Sequence, residues 1–308
     1  MKEKEQALVE SISTKLKSLI NQLKLIIQLE IKSSQMPHLT LKEKLQTFKQ
    51  ELKIIKQQKE DSEYILRGET EKIVKEGLIE DIDLFKKKEL PKMVSDLEQI
   101  YKNNQKLNGI ELAKRFNLFL ENSIKKKFND WRKAEEKKLQ KSLKFILNRF
   151  TKSTNQSIEK IINLSANLFD ISLEKFTTEL ELVEEQEFRF SFDEIQVEIE
   201  IFTPIFSRLP KFLSHRFLYQ NIKEKTAEEF DKHCGRVRFD FHQRLLKTIN
   251  EYQIELDRVF EEIISEIEKA IIKGLKLKQK TKQEADDFLN KLYYQEKTLL
   301  QIQKQLTL

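Results

Sequence analysis

Apolar residues recur at every third or fourth position along most of this chain, which is the spacing of a helix that buries one face. The longest uninterrupted stripe lies between Gly235 and Gly274. Its apolar positions are Val237, Phe241, Leu245, Ile249, Tyr252, Leu256, Val259, Ile263, Ile267 and Ile271. A helix of about forty residues is about 60 Å long, so its partners must be helices of similar length. The pattern therefore predicts an all-α fold, an elongated antiparallel bundle of long helices with a short irregular or extended tip segment.

Two further helices are predicted in the N-terminal third. The first covers about residues 3–32, and its apolar residues form a heptad seam at Val9, Ile12, Leu16, Leu19, Leu23 and Ile26. Thr40 and Glu43 have the spacing of a capping box and predict the start of the second helix. Pro91 removes a backbone donor and clashes with the preceding turn, so we expect a kink or a break near Glu89.

Asn108 and Glu111 have the spacing to cap a third long helix. We expect its stripe to be interrupted near 151–156 and the helix to continue as far as Val183. The pattern then changes over 187–202, where apolar residues alternate with polar ones as in a short extended segment or hairpin. A helical spacing fits this stretch nearly as well, so both interpretations stay open.

A last helix is predicted after the basic connector 276–282. Its apolar residues are Phe288, Leu292, Leu299 and Ile302. The elements divide the chain into N-terminal long helices over 1–104, central helices over 105–186, a tip segment over 187–220 and C-terminal helices over 221–308.

Composition fits long helices with few loops. The chain has 308 residues, of which 35% are charged, and only five are Gly and four are Pro. Cys234 is the single cysteine, so an intramolecular disulfide is excluded and a reducing compartment is indicated. The N-terminus lacks the apolar core of a signal peptide, and no run approaches the roughly 18 apolar residues of a membrane span. We therefore expect a cytoplasmic protein.

The formal charge of +6 comes from 57 basic and 51 acidic residues. Lys and Glu alternate along most helices, which is typical of solvated surfaces, whereas nucleic-acid binders concentrate basic charge on one face. We therefore expect no nucleic-acid partner. Such a partner would require Lys125–Lys127 and Lys276–Lys282 to converge on one face.

The chain shows no pattern of catalytic residues. It lacks a GxxxxGK[ST] phosphate loop, and no His has metal-ligand spacing to Cys234. Arg236 and Arg238 beside Gly235 fit either a phosphate site or ion pairs with acids of neighbouring helices. We therefore expect no enzymatic activity, no catalytic or metal residue and no cofactor.

The segment 201–223 contains no Asp or Glu, although acids are frequent elsewhere. Large apolar side chains beside cations are what a surface needs to enter the headgroup boundary of an anionic membrane. The predicted membrane-binding residues are Ile205, Phe206, Arg208, Leu209, Lys211, Phe212, Leu213, Arg216 and Phe217. The alternative is a corner that packs into the protein's own bundle.

Several short motifs resemble the helical stalk of bacterial dynamin-like proteins, which are membrane-remodelling GTPases. The motifs are Leu90-Pro91, the run INLSANLF over 162–169, Leu209-Pro210, and GRVRFDF over 235–241 with Arg244 beyond it. The resemblance covers most of the chain from about Glu63 onward. It implies that 201–219 is a lipid-contacting paddle and that 235–274 is a principal trunk helix. The GTPase domain of that family is missing.

The resemblance and the acid-free segment together predict a non-catalytic stalk at the inner face of the membrane. Such a stalk is expected to bind an anionic lipid surface and to take part in membrane remodelling. Its protein partners are expected to be copies of itself, or a dynamin-like protein that carries the GTPase. The alternative is a structural coiled-coil scaffold that binds neither membrane nor nucleotide.

Overall fold

The computed structural model describes residues 2–172 and 211–305. These residues form five helices, which are α1 (Lys2–Gln35), α2 (His38–Asn103), α3 (Gly109–Leu168), α4 (Lys211–Leu277) and α5 (Lys282–Gln305). No strand occurs in the described part of the chain, and the all-α prediction is confirmed. The alternating pattern at 187–202 lies outside the described residues.

The predicted stripe of 235–274 belongs to α4, which has 67 residues and begins at Lys211. All its predicted apolar positions are buried except Val259, which is partly buried. Gly235 lies inside the helix instead of at its start, and no atom approaches the position of a Cβ there. A helical glycine costs only about 1 kcal/mol, which the packing on both sides offsets.

Of the kink or break expected near Glu89, the break is absent, because α2 continues through Pro91. An interior proline costs about 3 kcal/mol. Buried residues on both sides, among them Phe85, Met93 and Leu97, hold one continuous stripe against the neighbouring helices. Tertiary packing therefore overrides the local cost of the proline.

The start of α2 also differs from the prediction. The N–H of Leu41 donates to the carbonyl oxygen of Pro37 at 2.9 Å, so the helix begins at His38 and Thr40 lies inside its first turn. The predicted cap of α3 is confirmed. The Oδ1 of Asn108 accepts from the backbone N–H of Glu111 at 2.8 Å. The Oε2 of Glu111 accepts in turn from the backbone N–H of Asn108 at 3.2 Å.

The interruption expected at 151–156 is absent, since α3 continues to Leu168. Thr151 bonds the carbonyl oxygen of Leu147 at 3.0 Å, so its polar group is satisfied within the helix. The helix then ends earlier than the predicted Val183. Asp170 has a φ of 54°, and the N–H of Ile171 returns to the carbonyl oxygen of Ala166 at 2.9 Å. This left-handed C-cap stops α3 before the described segment ends.

The described residues fall into two compact units. Unit 1 contains those within Met1–Arg67, Ile146–Gln186 and Asn250–Leu308, and unit 2 contains those within Gly68–Phe145 and Glu187–Ile249. The helices α2, α3 and α4 each contribute one segment to each unit.

In unit 1, cross-helix pairs show that α2 is antiparallel to α4. Lys56 bonds Glu261 at 2.7 Å, and Arg67 bonds Gln253 at 3.0 Å. The core includes Leu29, Phe48, Ile162, Phe169, Ile267 and Ile271. α1 and α4 approach each other closely at Gly274, where an added Cβ would lie 2.5 Å from the Oγ of Ser33. This contact requires a glycine.

The heptad seam of α1 is exposed over most of its length. Val9, Ile12, Leu16, Leu19 and Leu23 have exposed fractions between 38% and 65%. The residues of α1 that face the core are instead Ile20, Leu25, Leu29 and Ile31. α5 packs on α1, where Gln28 bonds Glu296 at 3.0 Å and Gln35 bonds Tyr293 at 2.7 Å.

Unit 2 has an aromatic core formed by segments of α2, α3 and α4. The ring of Phe85 lies 5.0 Å from that of Phe128, 5.4 Å from that of Phe230 and 5.3 Å from that of Trp131. Such ring pairs contribute about 0.5–1.5 kcal/mol beyond their buried area. This cluster holds α2 and α3 in fixed register.

Candidate functional site

The predicted membrane-binding residues lie at or before the start of α4. Four of them, Ile205, Phe206, Arg208 and Leu209, lie outside the described residues. Lys211, Phe212 and Leu213 belong to the first turn of α4. The side chains of the remaining two, Arg216 and Phe217, are both exposed.

Phe217 is 67% exposed, whereas its neighbour Leu218 is fully buried on the other face of the helix. Helical periodicity explains the difference between neighbours. His215, Leu218 and Ile222 follow steps of three and four and are buried, whereas Arg216 and Phe217 lie outside that stripe. The start of α4 therefore has one packed face and one exposed face that carries an aromatic ring and a cation.

Two contacts fix this packed face within unit 2. The Nε2 of His215 lies 2.9 Å from the carbonyl oxygen of Leu107, in the connection between α2 and α3. The ring of Tyr219 stacks on that of Tyr101 with centroids 4.7 Å apart. Both contacts orient the first turns of α4, so Phe217 is presented on an ordered helix.

A second site lies between α2 and α3 in unit 2, in a groove with a volume of about 770 Å³. Its floor is aromatic, formed by Phe85 and Trp131. Charged side chains surround this floor. They are Asp81, Lys88, Glu89, Lys126, Lys127, Asp130, Glu135 and Lys138. The groove therefore combines an apolar surface with charges of both signs.

Several charged side chains of this groove form ion pairs. Lys138 bonds Asp81 across the two helices. Glu89 accepts from Lys127 at 2.6 Å and from Lys92 at 2.7 Å, and these hydrogen bonds lower the pKa of its carboxyl group. The pairs of Asp81 with Lys138 and of Glu89 with Lys127 also show that α2 and α3 run antiparallel here.

Glu135 differs from the other carboxylates of the groove. It is only 5% exposed, and its Oε1 has no hydrogen-bond partner in the part of the chain that the structure describes. Burial, and secondly the negative charge of Asp81, raise the pKa of Glu135 to about 7. A buried acceptor without a donor costs about 1–3 kcal/mol of stability, so the Oε1 of Glu135 is suited to accept a hydrogen bond from a ligand.

Glu135 was not among the site residues predicted from the sequence. One signal was present, because Glu135 occupies a core position of the α3 stripe, four residues before the buried Leu139 and three after the buried Arg132. A charged residue at such a position is unusual and indicates a partner or a site. The paired Asp81 gave no signal, since acids are common on the solvated faces of all helices.

The described residues hold neither a metal-binding group nor a reactive thiol. No three His, Cys, Asp or Glu side chains among them are grouped so as to hold a metal ion. The Cys234 thiol is buried, and burial raises its pKa to about 12, which leaves it protonated and unreactive. Burial also lowers the pKa of His233, so this imidazole is neutral at physiological pH.

None of the described helices combines the length and the apolar character that crossing a bilayer requires. Neither a known protein family, nor a curated protein, nor a solved structure matches this chain. The resemblance to dynamin-like stalks therefore rests on the short motifs alone.

Proposed function

We propose that the protein is a non-catalytic helical stalk that associates peripherally with an anionic membrane surface through the start of α4. The observation that supports this function best is the exposed pair of Arg216 and Phe217. This pair lies within the acid-free segment 201–223, so no carboxylate of that segment repels a negatively charged lipid surface.

The expected binding free energies make the aromatic ring the main contributor to membrane affinity. A fully buried Phe contributes about 1.5–3 kcal/mol, whereas a cation near an anionic leaflet contributes about 1 kcal/mol and is screened by salt. His215 and Tyr219 hold the helix that carries Phe217, so little conformational entropy is lost when the ring inserts. The ring therefore suits a lipid anchor.

The proposed assembly follows from the resemblance to dynamin-like stalks. The chain would assemble with copies of itself or with a dynamin-like protein that supplies the GTPase, and together they would remodel the membrane. In this proposal the chain itself binds no nucleotide, needs no cofactor and works at the cytoplasmic face.

Co-sedimentation with vesicles tests the membrane contact, and α4 offers a matched control. Arg238 and Phe239 repeat the exposed Arg-Phe pair of Arg216 and Phe217, and Phe239 is 66% exposed. Phe217→Ser should weaken binding to phosphatidylserine vesicles about tenfold, whereas Phe239→Ser should leave it unchanged. Equal binding by the two variants would refute the proposed contact.

A different observation supports a second function, that of a coiled-coil scaffold. The exposed seam of α1 repeats aliphatic residues in strict heptad spacing at Val9, Ile12, Leu16, Leu19 and Leu23. Such a seam is complementary to a second copy of itself, and among its flanking residues Ser13, Lys15, Ile20 and Gln22 only Lys15 is charged. We assign a second copy of this chain as its occupant.

Light scattering tests the scaffold. Leu16→Glu places a charge in the seam and should convert an oligomer into a monomer, because like charges would face each other across the two copies. Leu118→Glu changes an exposed leucine of α3 and should have no effect on the mass. A wild-type protein that is monomeric at micromolar concentration would exclude this function.

A further inference from the structure

We propose that the groove between α2 and α3 binds a small organic monocation, an amine with an apolar body, whose ammonium group bonds the carboxylate of Glu135. The hydrocarbon part of the ligand would lie on Phe85 and Trp131. This site is independent of the proposed membrane contact at the start of α4.

The unpartnered Oε1 of Glu135 defines the polar end of the site. Glu135 lines the groove, is almost fully buried and lacks a donor for this atom among the described residues. Two lysines of the groove are already engaged, since Lys138 bonds Asp81 and Lys127 bonds Glu89. An ammonium group has three N–H donors and no acceptor, so it matches what Glu135 lacks.

The floor of the groove defines the apolar end. The rings of Phe85 and Trp131 lie 5.3 Å apart with an angle of 30° between their planes, and Leu84 and Ala134 extend this wall. An aromatic face attracts both a hydrocarbon body and a neighbouring positive charge. A ligand that joins an ammonium group to an apolar body therefore uses both ends.

The lysines of the groove select against other cations. Lys88 and Lys126 line the groove and are exposed to solvent, so they repel a ligand that carries several positive charges. A metal ion is also disfavoured, because the described residues contain no group of three metal-binding side chains. A single positive charge is repelled less than several, and its apolar body gains the contact with the two rings.

Phenethylamine is a suitable probe, and Trp131 is a suitable reporter because it is the only tryptophan in the chain. Phenethylamine should change the tryptophan fluorescence in a saturable manner at millimolar concentration or below. Phenethyl alcohol has the same body without the charge, and spermidine has several charges. Both should bind at least tenfold more weakly than phenethylamine.

Glu135→Gln removes the charge while keeping the shape of the side chain, and it should weaken phenethylamine binding at least tenfold. Glu136→Gln, at the next position of α3, is the matched control and should bind like the wild type. The proposal is wrong if Glu135→Gln binds phenethylamine as tightly as Glu136→Gln does, or if phenethyl alcohol binds as tightly as the amine.

The pH dependence of binding to the wild type gives a second test, which holds even if Glu135→Gln does not fold. The charged groups that act on Glu135 are Asp81 of α2 and Lys138 of α3. An ammonium group binds the ionised carboxyl, and the pKa of Glu135 is about 7 in the free protein. Affinity should therefore fall as pH decreases below 7, by up to about tenfold per pH unit. Affinity that is constant between pH 5.5 and about 8 would overturn the proposal.

Discussion

The Nε2 of His215 lies 2.9 Å from the carbonyl oxygen of Leu107, and this contact ties the first turns of α4 to the connection between α2 and α3. The next two residues along α4, Arg216 and Phe217, are exposed. Because His215 is buried, the exposure of Phe217 belongs to an anchored helix and not to a frayed end. The proposed membrane contact depends on this arrangement.

The buried stripe of α4 gives the first prediction. Ile249→Asp should lower the free energy of unfolding by about 3–5 kcal/mol, because Ile249 is buried in the stripe and the new carboxylate would have no partner there. Urea denaturation followed by circular dichroism measures this loss. Ile254→Asp changes an exposed isoleucine of the same helix and should cost less than about 0.5 kcal/mol. Similar losses for both variants would mean that the stripe is not the core.

The close approach of α1 and α4 gives the second prediction. Gly274→Ala should be destabilising, because its Cβ would lie 2.5 Å from the Oγ and 2.7 Å from the backbone carbonyl carbon of Ser33. Ser33→Ala should not rescue it, since the backbone contact remains. The expected loss is about 1–3 kcal/mol in thermal or urea unfolding.

A second glycine serves as the control for this test. No atom lies near the Cβ position at Gly77 in α2, so Gly77→Ala should stabilise the protein by about 0.5–1 kcal/mol through the lower entropy of the unfolded chain. The close approach at Gly274 would be disproved if both alanine variants were more stable than the wild type.

The third prediction concerns the pH dependence of stability. The pKa of Glu135 is about 7 in the folded protein, against an ordinary value of 4.5. Between these values the folded state holds a proton that the unfolded state has lost, so this residue makes stability fall as pH rises from 4.5 to 7. The contribution is at most about 3 kcal/mol.

Glu135→Gln should remove the loss of stability that Glu135 causes as pH rises. Its stability relative to the wild type should increase from pH 5 to about pH 8, where the wild type carries a buried charge near Asp81. Chemical denaturation at several pH values measures this difference. Glu136→Gln should show no such trend. A constant difference between Glu135→Gln and the wild type would contradict the burial of this charge.

Much of the fold was predictable because local rules and packing agree. The α4 stripe from Val237 to Ile271 and the cap of Asn108 with Glu111 both follow from spacing alone. The sequence rules failed where packing overrides a local preference. Pro91 does not break α2, and the polar residues near Thr151 do not interrupt α3, because buried neighbours and hydrogen bonds within the helix compensate.

The candidate sites were less predictable for a different reason. A heptad seam indicates that a helix needs a partner but not which partner, and the seam of α1 from Val9 to Leu23 is exposed in this chain. The groove depends on the juxtaposition of Asp81 and Glu135, which lie far apart in the sequence. Burial and, secondly, the approach of Asp81 across the two helices raise the pKa of Glu135, and no local pattern in the sequence reports that approach.

The insertion of position 217 into the bilayer is the most direct test of the proposed function. Trp131→Phe removes the only tryptophan, and Phe217→Trp then introduces a single reporter at the start of α4. Upon addition of phosphatidylserine vesicles that carry brominated acyl chains, its emission should shift to the blue and be strongly quenched. The same reporter placed by Phe239→Trp should not be quenched. Emission at position 217 that stays unchanged, or that is quenched no more than at position 239, would contradict the membrane contact.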